Sequence, residues 1–357
     1  MRLIPFLAVT LIAPLALAAE PAAPPAAERY VAIDNVCAWP NLTQLRDGTI
    51  IATIFNNPSH GRAEGDVDCW ATSDGRFWTK RGTAAPHENL ANRMNVAAGM
   101  ARSGDLLVLS SGWSLKKDDQ GRVVALLEIL SPWICRSADG GSTWKVNKES
   151  FPKAPQGRTQ YIPFGDILPG ADGALRVACY ARDEKTKQDG VWMFRSPDDG
   201  RTWAMQSLVS DANNETAIFH LGAGKWLAAA RSLGKTKQRL DLFCSADDGR
   251  TWTAAQPLSE GSQHPGHLAR LKDGRLLLTY GNRVAGEHGV MARLSADEGR
   301  TWSEPLRLVR LPKTDCGYPS SVQRADGRIV TAYYAGRAES HDRYHMGVVI
   351  WQAPTRK

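Results

Sequence analysis

The residues best able to do chemistry fall in six short segments: Cys37-Ala38-Trp39-Pro40, Asn92-Arg93-Met94-Asn95, Gln160-Tyr161-Ile162-Pro163, Asn213-Asn214-Glu215-Thr216, His264-Pro265-Gly266-His267 and Asp315-Cys316-Gly317-Tyr318-Pro319. Between them lies a second set: Asn56 to Asp68, Trp113 to Gln120, Arg182-Asp183, Arg231, Asn282-Arg283 and Arg337 to His345. Brought to one place, these segments combine several arginines with one glutamate, tyrosines and aspartates. A guanidinium donates two parallel hydrogen bonds to a carboxylate, so such a cluster suits an acidic ligand. A tyrosine beside a carboxylate base and arginines is set up to act as a nucleophile.

The elements that would converge these segments are announced by a repeat. Ser-x-Asp-x-Gly-x-Thr-Trp occurs as SADGGSTW (Ser137 to Trp144), SPDDGRTW (Ser196 to Trp203), SADDGRTW (Ser245 to Trp252) and SADEGRTW (Ser295 to Trp302), with a worn copy, ATSDGRFW, ending at Trp78. Ser and Asp side chains bond nearby amides, Gly supplies an unusual φ, and Trp fills space beside the next unit, so the box is a structural turn. Six glycine-containing turns, at Asp47-Gly48, Gly104-Asp105, Asp172-Gly173, Gly224, Asp273-Gly274 and Asp326-Gly327, each lead into an apolar β-rich run. Such turns mark hairpins. Repeats of this length imply an all-β, six-bladed β-propeller of about four strands per blade. Strand parity then places the Asp-Gly turns and the boxes on one face. The starts of the inner strands and the exits of the second strands share the other, where a ligand belongs.

The first 18 residues carry Arg2, an apolar run and Ala16-Leu17-Ala18, the pattern of a cleaved secretory signal. A Pro/Ala linker over 19–28 follows, and 29–354 reads as one propeller domain. The expected location is periplasmic or secreted, with no membrane span in the mature chain. A net charge of +7 without basic blocks argues against a nucleic-acid partner. Six cysteines are scattered roughly one per blade, and a chain of this size does not need staples. Cys37 and Cys316 occupy matching positions in blades that become neighbours on closure, which makes them the one candidate disulfide.

The whole mature chain resembles the sialidase (neuraminidase) superfamily, whose propellers carry such Asp boxes. NETAIFHLGAGKWLAAARS is similar to the segment in which a glutamate precedes a strand and an arginine ends the next one. The resemblance implies Glu215 as the base of the nucleophile and Arg231 as one arm of a substrate-binding arginine triad. LLLTYGNRVAGEHGVMARLSADEGRTW resembles the segment of a later triad arginine, Arg283, and GYPSSVQRADGRIVTAYY the final blade, with Tyr318 as nucleophile. The acid that protonates the leaving group would come from the first-blade loop, as Asp66 with Asp68 the alternative. One element departs from the pattern. The first inner strand of sialidases opens on Arg-Ile-Pro, whereas here it reads Ala38-Trp39-Pro40. Arg93 or Arg62 is left to supply the missing cation, and Trp39 to stack on a sugar face.

The expectation is an exo-acting glycosidase for a terminal acidic sugar on a glycan, working without cofactor or metal. His60 is a further substrate contact. Two rival readings differ in class: a lyase or another glycosidase using His60 or His264, and a glycan-binding propeller without chemistry. His341 and His345 are four apart but not on a helix, so metal ligation is not expected there.

Overall fold

The apolar runs that follow each glycine turn become strands buried along their whole length, such as Ile50–Phe55, Leu106–Ser111, Leu276–Asn282 and Ile329–Ala335. The structure, a computed structural model, describes residues 21–234 and 238–356. The expected secretory signal over 1–18 lies outside the described residues, and no described helix is long and apolar enough to cross a membrane. Four sheets have four strands each, and a fifth has eight. The eight-stranded sheet consists of two four-stranded meanders joined where Asn95–Met100 runs parallel to Ile162–Pro169. A side chain at Gly99 would collide with the Ile167 carbonyl across that junction, so glycine is what lets the two strands meet.

The innermost strand of each meander is Ala38–Gln44, Asn95–Met100, Ile162–Pro169, Asn213–Gly222, Gln263–Arg270 or Cys316–Gln323. Each packs against its counterpart in the neighbouring meanders, and the last returns to the first, so the inner strands close a ring. This is the expected all-β propeller. Apolar layers fill the gaps between blades. Ile50, Ile54 and Phe55, for example, pack with Val330, Val348 and Ile350 from the opposite end of the chain. Each such fully buried side chain contributes about 1.5–3 kcal/mol.

One strand was not foreseen. The last blade takes its outer strand from the start of the chain: Glu28–Asp34 pairs antiparallel with His345–Trp351, Tyr30 opposite Val348. Residue 28, expected in the linker, is therefore already in a strand. Part of the linker also lies on the propeller, where Arg307 N donates to the Ala22 carbonyl at 2.9 Å. The hairpin Trp113–Lys117 with Val123–Ile129 stands apart as a two-stranded sheet between the second and third strands of the second blade.

The boxes form the turns inferred for them. In the fourth complete copy Asp297 accepts from Ser295 Oγ, Thr301 N and Thr301 Oγ1, and these bonds hold its carboxyl down at about 2. The residue after the box Asp reaches into the preceding blade. Asp199 accepts from Arg102 N at 2.6 Å, and Asp248 accepts from Ala171 N at 3.3 Å, which puts boxes and Asp-Gly turns on one face. Asp248 also receives Trp226 Nε1 at 2.8 Å and the fully buried Arg176 at 2.7 Å.

All six cysteines are free, Cys37 and Cys316 included, so the candidate disulfide is not formed. Burial pushes the Cys69 and Cys135 thiols up to about 12 and Cys316 to about 11. Two outcomes are expected. A chromogenic thiol reagent at mildly alkaline pH should leave the five buried cysteines unmodified until denaturant is added. Replacing Asp248 by Ala leaves the Arg176 charge buried beside Asp172 alone, and urea unfolding should show a loss of about 3–5 kcal/mol.

Candidate functional site

Four of the six inner strands begin with the same irregularity. Pairing to the second strand skips two residues at Trp39-Pro40, at Asn214-Glu215, at His264-Pro265 and at Tyr318-Pro319. Bulges bend a strand and re-aim its side chains. Three of the four have proline second, a residue that cannot donate to the ladder and is confined to such places. Trp39 and Tyr318 each sit in the left-handed region just before that proline, with φ of 46° and 48°. Strain of this kind persists only where surrounding packing enforces it. The four bulges lie at one end of the ring, where Trp39, Glu215 and Tyr318 line a cavity of about 650 Å³, its open mouth included.

Glu215 is the centre of the arrangement. Its Oε1 accepts a short hydrogen bond from Tyr318 Oη, and its Oε2 accepts from Arg231 Nη1 at 2.7 Å. Arg231 is fixed from behind by Gln238 Oε1, 3.0 Å from its Nε. Burial raises the Tyr318 phenol far above its ordinary value and the Glu215 charge adds to this, while Arg231 and Arg283 pull the other way. Tyr318 is therefore a neutral phenol whose proton already points at a carboxylate. Arg283 lies over the Tyr318 ring, 5.6 Å from its centroid, and donates to the Cys316 carbonyl at 3.1 Å. Its Nη1 is 3.0 Å from His264 Nδ1, which accepts. Burial, Arg231 and Arg283 all lower His264, to about 2, so it remains neutral. Gly281 and Gly317 allow these blades to approach: a Cβ on Gly317, at φ 115°, would lie 3.1 Å from the Gly281 Cα.

The remaining wall is mainly apolar and aromatic, from Trp39, Met94, Ile162, Phe164 and Tyr180, with polar groups from Asn41, Asn95, His267 and Ser320. Trp39 stacks on Phe55 at 5.7 Å, and its buried Nε1 has no partner among the described residues. His60 stands edge-on to Trp39, 4.9 Å between centroids, and its Nδ1 is 3.0 Å from Asp315 Oδ1. The described residues contain no cluster of three or more His, Cys, Asp and Glu side chains suited to a metal ion.

The structure thus brings Tyr318, Glu215, Arg231, Arg283, Trp39 and His60 to one end of the ring. It does not bring Arg93, whose side chain is 2 % exposed and turned into its own blade. Arg93 pairs with Glu88 at 2.6 Å, donates to the Ser131 carbonyl and lies 3.7 Å over the Trp133 ring. The strand that follows it has a regular register without a bulge, so nothing re-aims it toward the cavity. Arg62 is exposed on the loop and does not line the cavity. Asp66 is also off the wall, with Oδ1 taken by His87 N at 2.8 Å and His87 Nδ1 at 2.6 Å. Asp68 is buried against Lys80, Thr83 and Asn56. Sequence reasoning missed Tyr180 and the part His264 plays in holding Arg283, and it gave Asp315 no role beyond its place at a strand start. The His-Pro and Tyr-Pro pairs at matching strand starts were the available signal for the bulges.

Comparison with known proteins bears on the fold. A profile described as the BNR repeat-like domain matches residues 40–331. No curated protein matches. A Dyadobacter fermentans protein of unknown function superposes with a TM-score of 0.77 at 22 % identity, over 91 % of this chain and 99 % of that one. A Hadza microbial sialidase gives 0.68 at 16 % identity, over 89 % and 66 % of the two chains. Trypanosoma rangeli sialidase in complex with sialic acid gives 0.69 at 14 % identity, over 92 % and 59 %. The chain thus spans about three fifths of the trypanosome enzyme, and at these identities the likeness concerns the fold.

The neutral His264 has a measurable signature. Unfolded, it takes up a proton below pH 6.5; folded, it does so only near 2. The unfolded state then binds more protons, so stability falls as pH drops through that window. Urea unfolding at about pH 7 and about pH 5 should show wild type losing up to about 1.4 kcal/mol per pH unit more than His264→Gln.

Proposed function

Because the chain belongs to the BNR repeat-like domain family, we propose that it is a six-bladed, sialidase-type exo-glycosidase that removes a terminal acidic sugar from a glycan outside the cytoplasm. The observation that carries this reading is the contact of Tyr318 Oη with Glu215 Oε1, with Arg231 on the other carboxylate oxygen. Tyrosine attack is the sialidase exception among glycosidases. A neutral phenol suits an anionic sugar, because a carboxylate nucleophile would repel it. Tyr318 Oη bonds to the anomeric carbon as its proton passes to Glu215, and the bond to the leaving oxygen breaks. Arg231 and Arg283 supply positive charge beside the site and oppose the negative charge that develops on Tyr318. Asp66, held by His87 off the cavity wall, leaves protonation of the leaving oxygen to another residue.

A second reading has a specific observation in its favour. Ala38 stands where the resemblance expects an arginine, and the wall beside it, beginning with Trp39, is largely aromatic. The same chemistry on a sugar other than sialic acid, such as a uronic-acid or deoxysugar glycoside, fits that wall.

The purified protein should release the fluorophore from one member of a panel of aryl α-sialosides, uronides and deoxyglycosides. Tyr318→Phe should abolish turnover, and Glu215→Gln should lower kcat by about 10²–10⁴-fold. Absence of turnover on the whole panel by folded wild type would overturn the glycosidase reading in favour of a binding propeller.

A further inference from the structure

We propose that His60, oriented by Asp315, is the group that protonates the leaving oxygen; this rests on the glycosidase reading above. The loop between the second and third strands of the first blade carries His60 over the edge of Trp39, a wall residue whose ring is 6.3 Å from that of Tyr318. The Trp39 ring thus stands between His60 and Tyr318, and His60 lies beside the cavity wall rather than in it. Its side chain is 56 % exposed, so a substrate oxygen can reach it.

The orientation of the imidazole is fixed from behind. Nδ1 faces Asp315 Oδ1 at 3.0 Å, and among the described residues Nε2 has no hydrogen-bond partner. Asp315 is itself immobilised: Tyr334 Oη donates to Oδ1 at 2.8 Å, and Tyr344 Oη donates to Oδ2. Burial acts to raise this carboxyl, but hydrogen bonds from His60, Tyr344 and Tyr334 outweigh it and hold it at about 2. The Asp315 carboxylate on Nδ1 fixes the ring, leaving Nε2 as the nitrogen that gives and takes a proton. Asp66 is off the cavity wall, with its Oδ1 taken by His87 N and His87 Nδ1.

The proton balance closes without a co-reactant other than water. As Tyr318 Oη bonds to the anomeric carbon and Glu215 takes the phenolic proton, the leaving oxygen takes the proton of His60 Nε2 and departs as an alcohol. Water then attacks the same carbon as its bond to Tyr318 Oη breaks; the water's proton passes to Nε2, and the departing Tyr318 Oη recovers its own from Glu215. His60 ends as it began.

The test is dependence on the leaving group. In His60→Gln, kcat/KM should fall by about 10²–10⁴-fold on an alkyl glycoside of the accepted sugar. The fall should be far smaller on the nitrophenyl glycoside, whose leaving group needs little protonation. Asp315→Asn should show the same pattern in weaker form, with circular dichroism and a melting curve confirming that it is folded. Equal losses on both substrates, or none, would overturn His60 as donor while leaving Tyr318 and Glu215 in place. Absence of turnover by wild type on every glycoside would overturn the glycosidase reading, and the donor with it.

Discussion

A carboxylate set into a mainly aromatic cavity is tolerated only when its charge is matched, because desolvating an ion costs several kcal/mol. Glu215 meets that condition with partners from two blades. Arg231 comes from the adjacent strand of its own blade, and Tyr318 comes across the ring from the last one. The pairing fixes how far the fourth and sixth blades stand apart. It also fixes which way Tyr318 faces, and it places Arg283 against the open side of the tyrosine ring. His264 then has to be neutral, since a third cation beside Arg231 and Arg283 would unbalance the cluster.

The arginines of this site hold protein groups. Arg231 is committed to Glu215 and Gln238, and Arg283 to His264, a backbone carbonyl and a ring face. Their field still reaches the cavity, but the wall that a ligand touches is Trp39, Met94, Phe164, Tyr180 and Tyr318. Recognition by stacking and shape, with charge held one layer back, differs from a clamp of exposed guanidiniums. It follows from having tryptophan at the start of the first inner strand.

What the sequence made legible was local. An Asp box closes within eight residues and a glycine turn within four, so the ring and the position of each inner-strand start follow from short patterns. Glu215, Tyr318, Arg231 and Arg283 were found because strand starts and exits share a face. Arg93 was misplaced because facing depends on one further bit of information, the presence of a bulge, which shifts the alternation of side chains, and Asp66 because a contact with His87, distant in sequence, turns it away. Proline marks three of the four bulges, but the one at Asn214-Glu215 has no such mark. The pairing of His60 with Asp315 and the outer strand of the last blade join distant parts of the chain, and no local pattern carries that kind of information.

That outer strand also sets an order of events. Glu28–Asp34 is synthesised more than 300 residues before its partner, His345–Trp351. Closing so long a loop is entropically slow, and contacts of this separation form late. The opening strand must therefore wait, unpaired, while the blades between are made, and the last blade cannot be completed while the C-terminal strand is missing. Tyr318 belongs to that blade, so the cavity end of the ring is assembled only after these two distant segments have found each other.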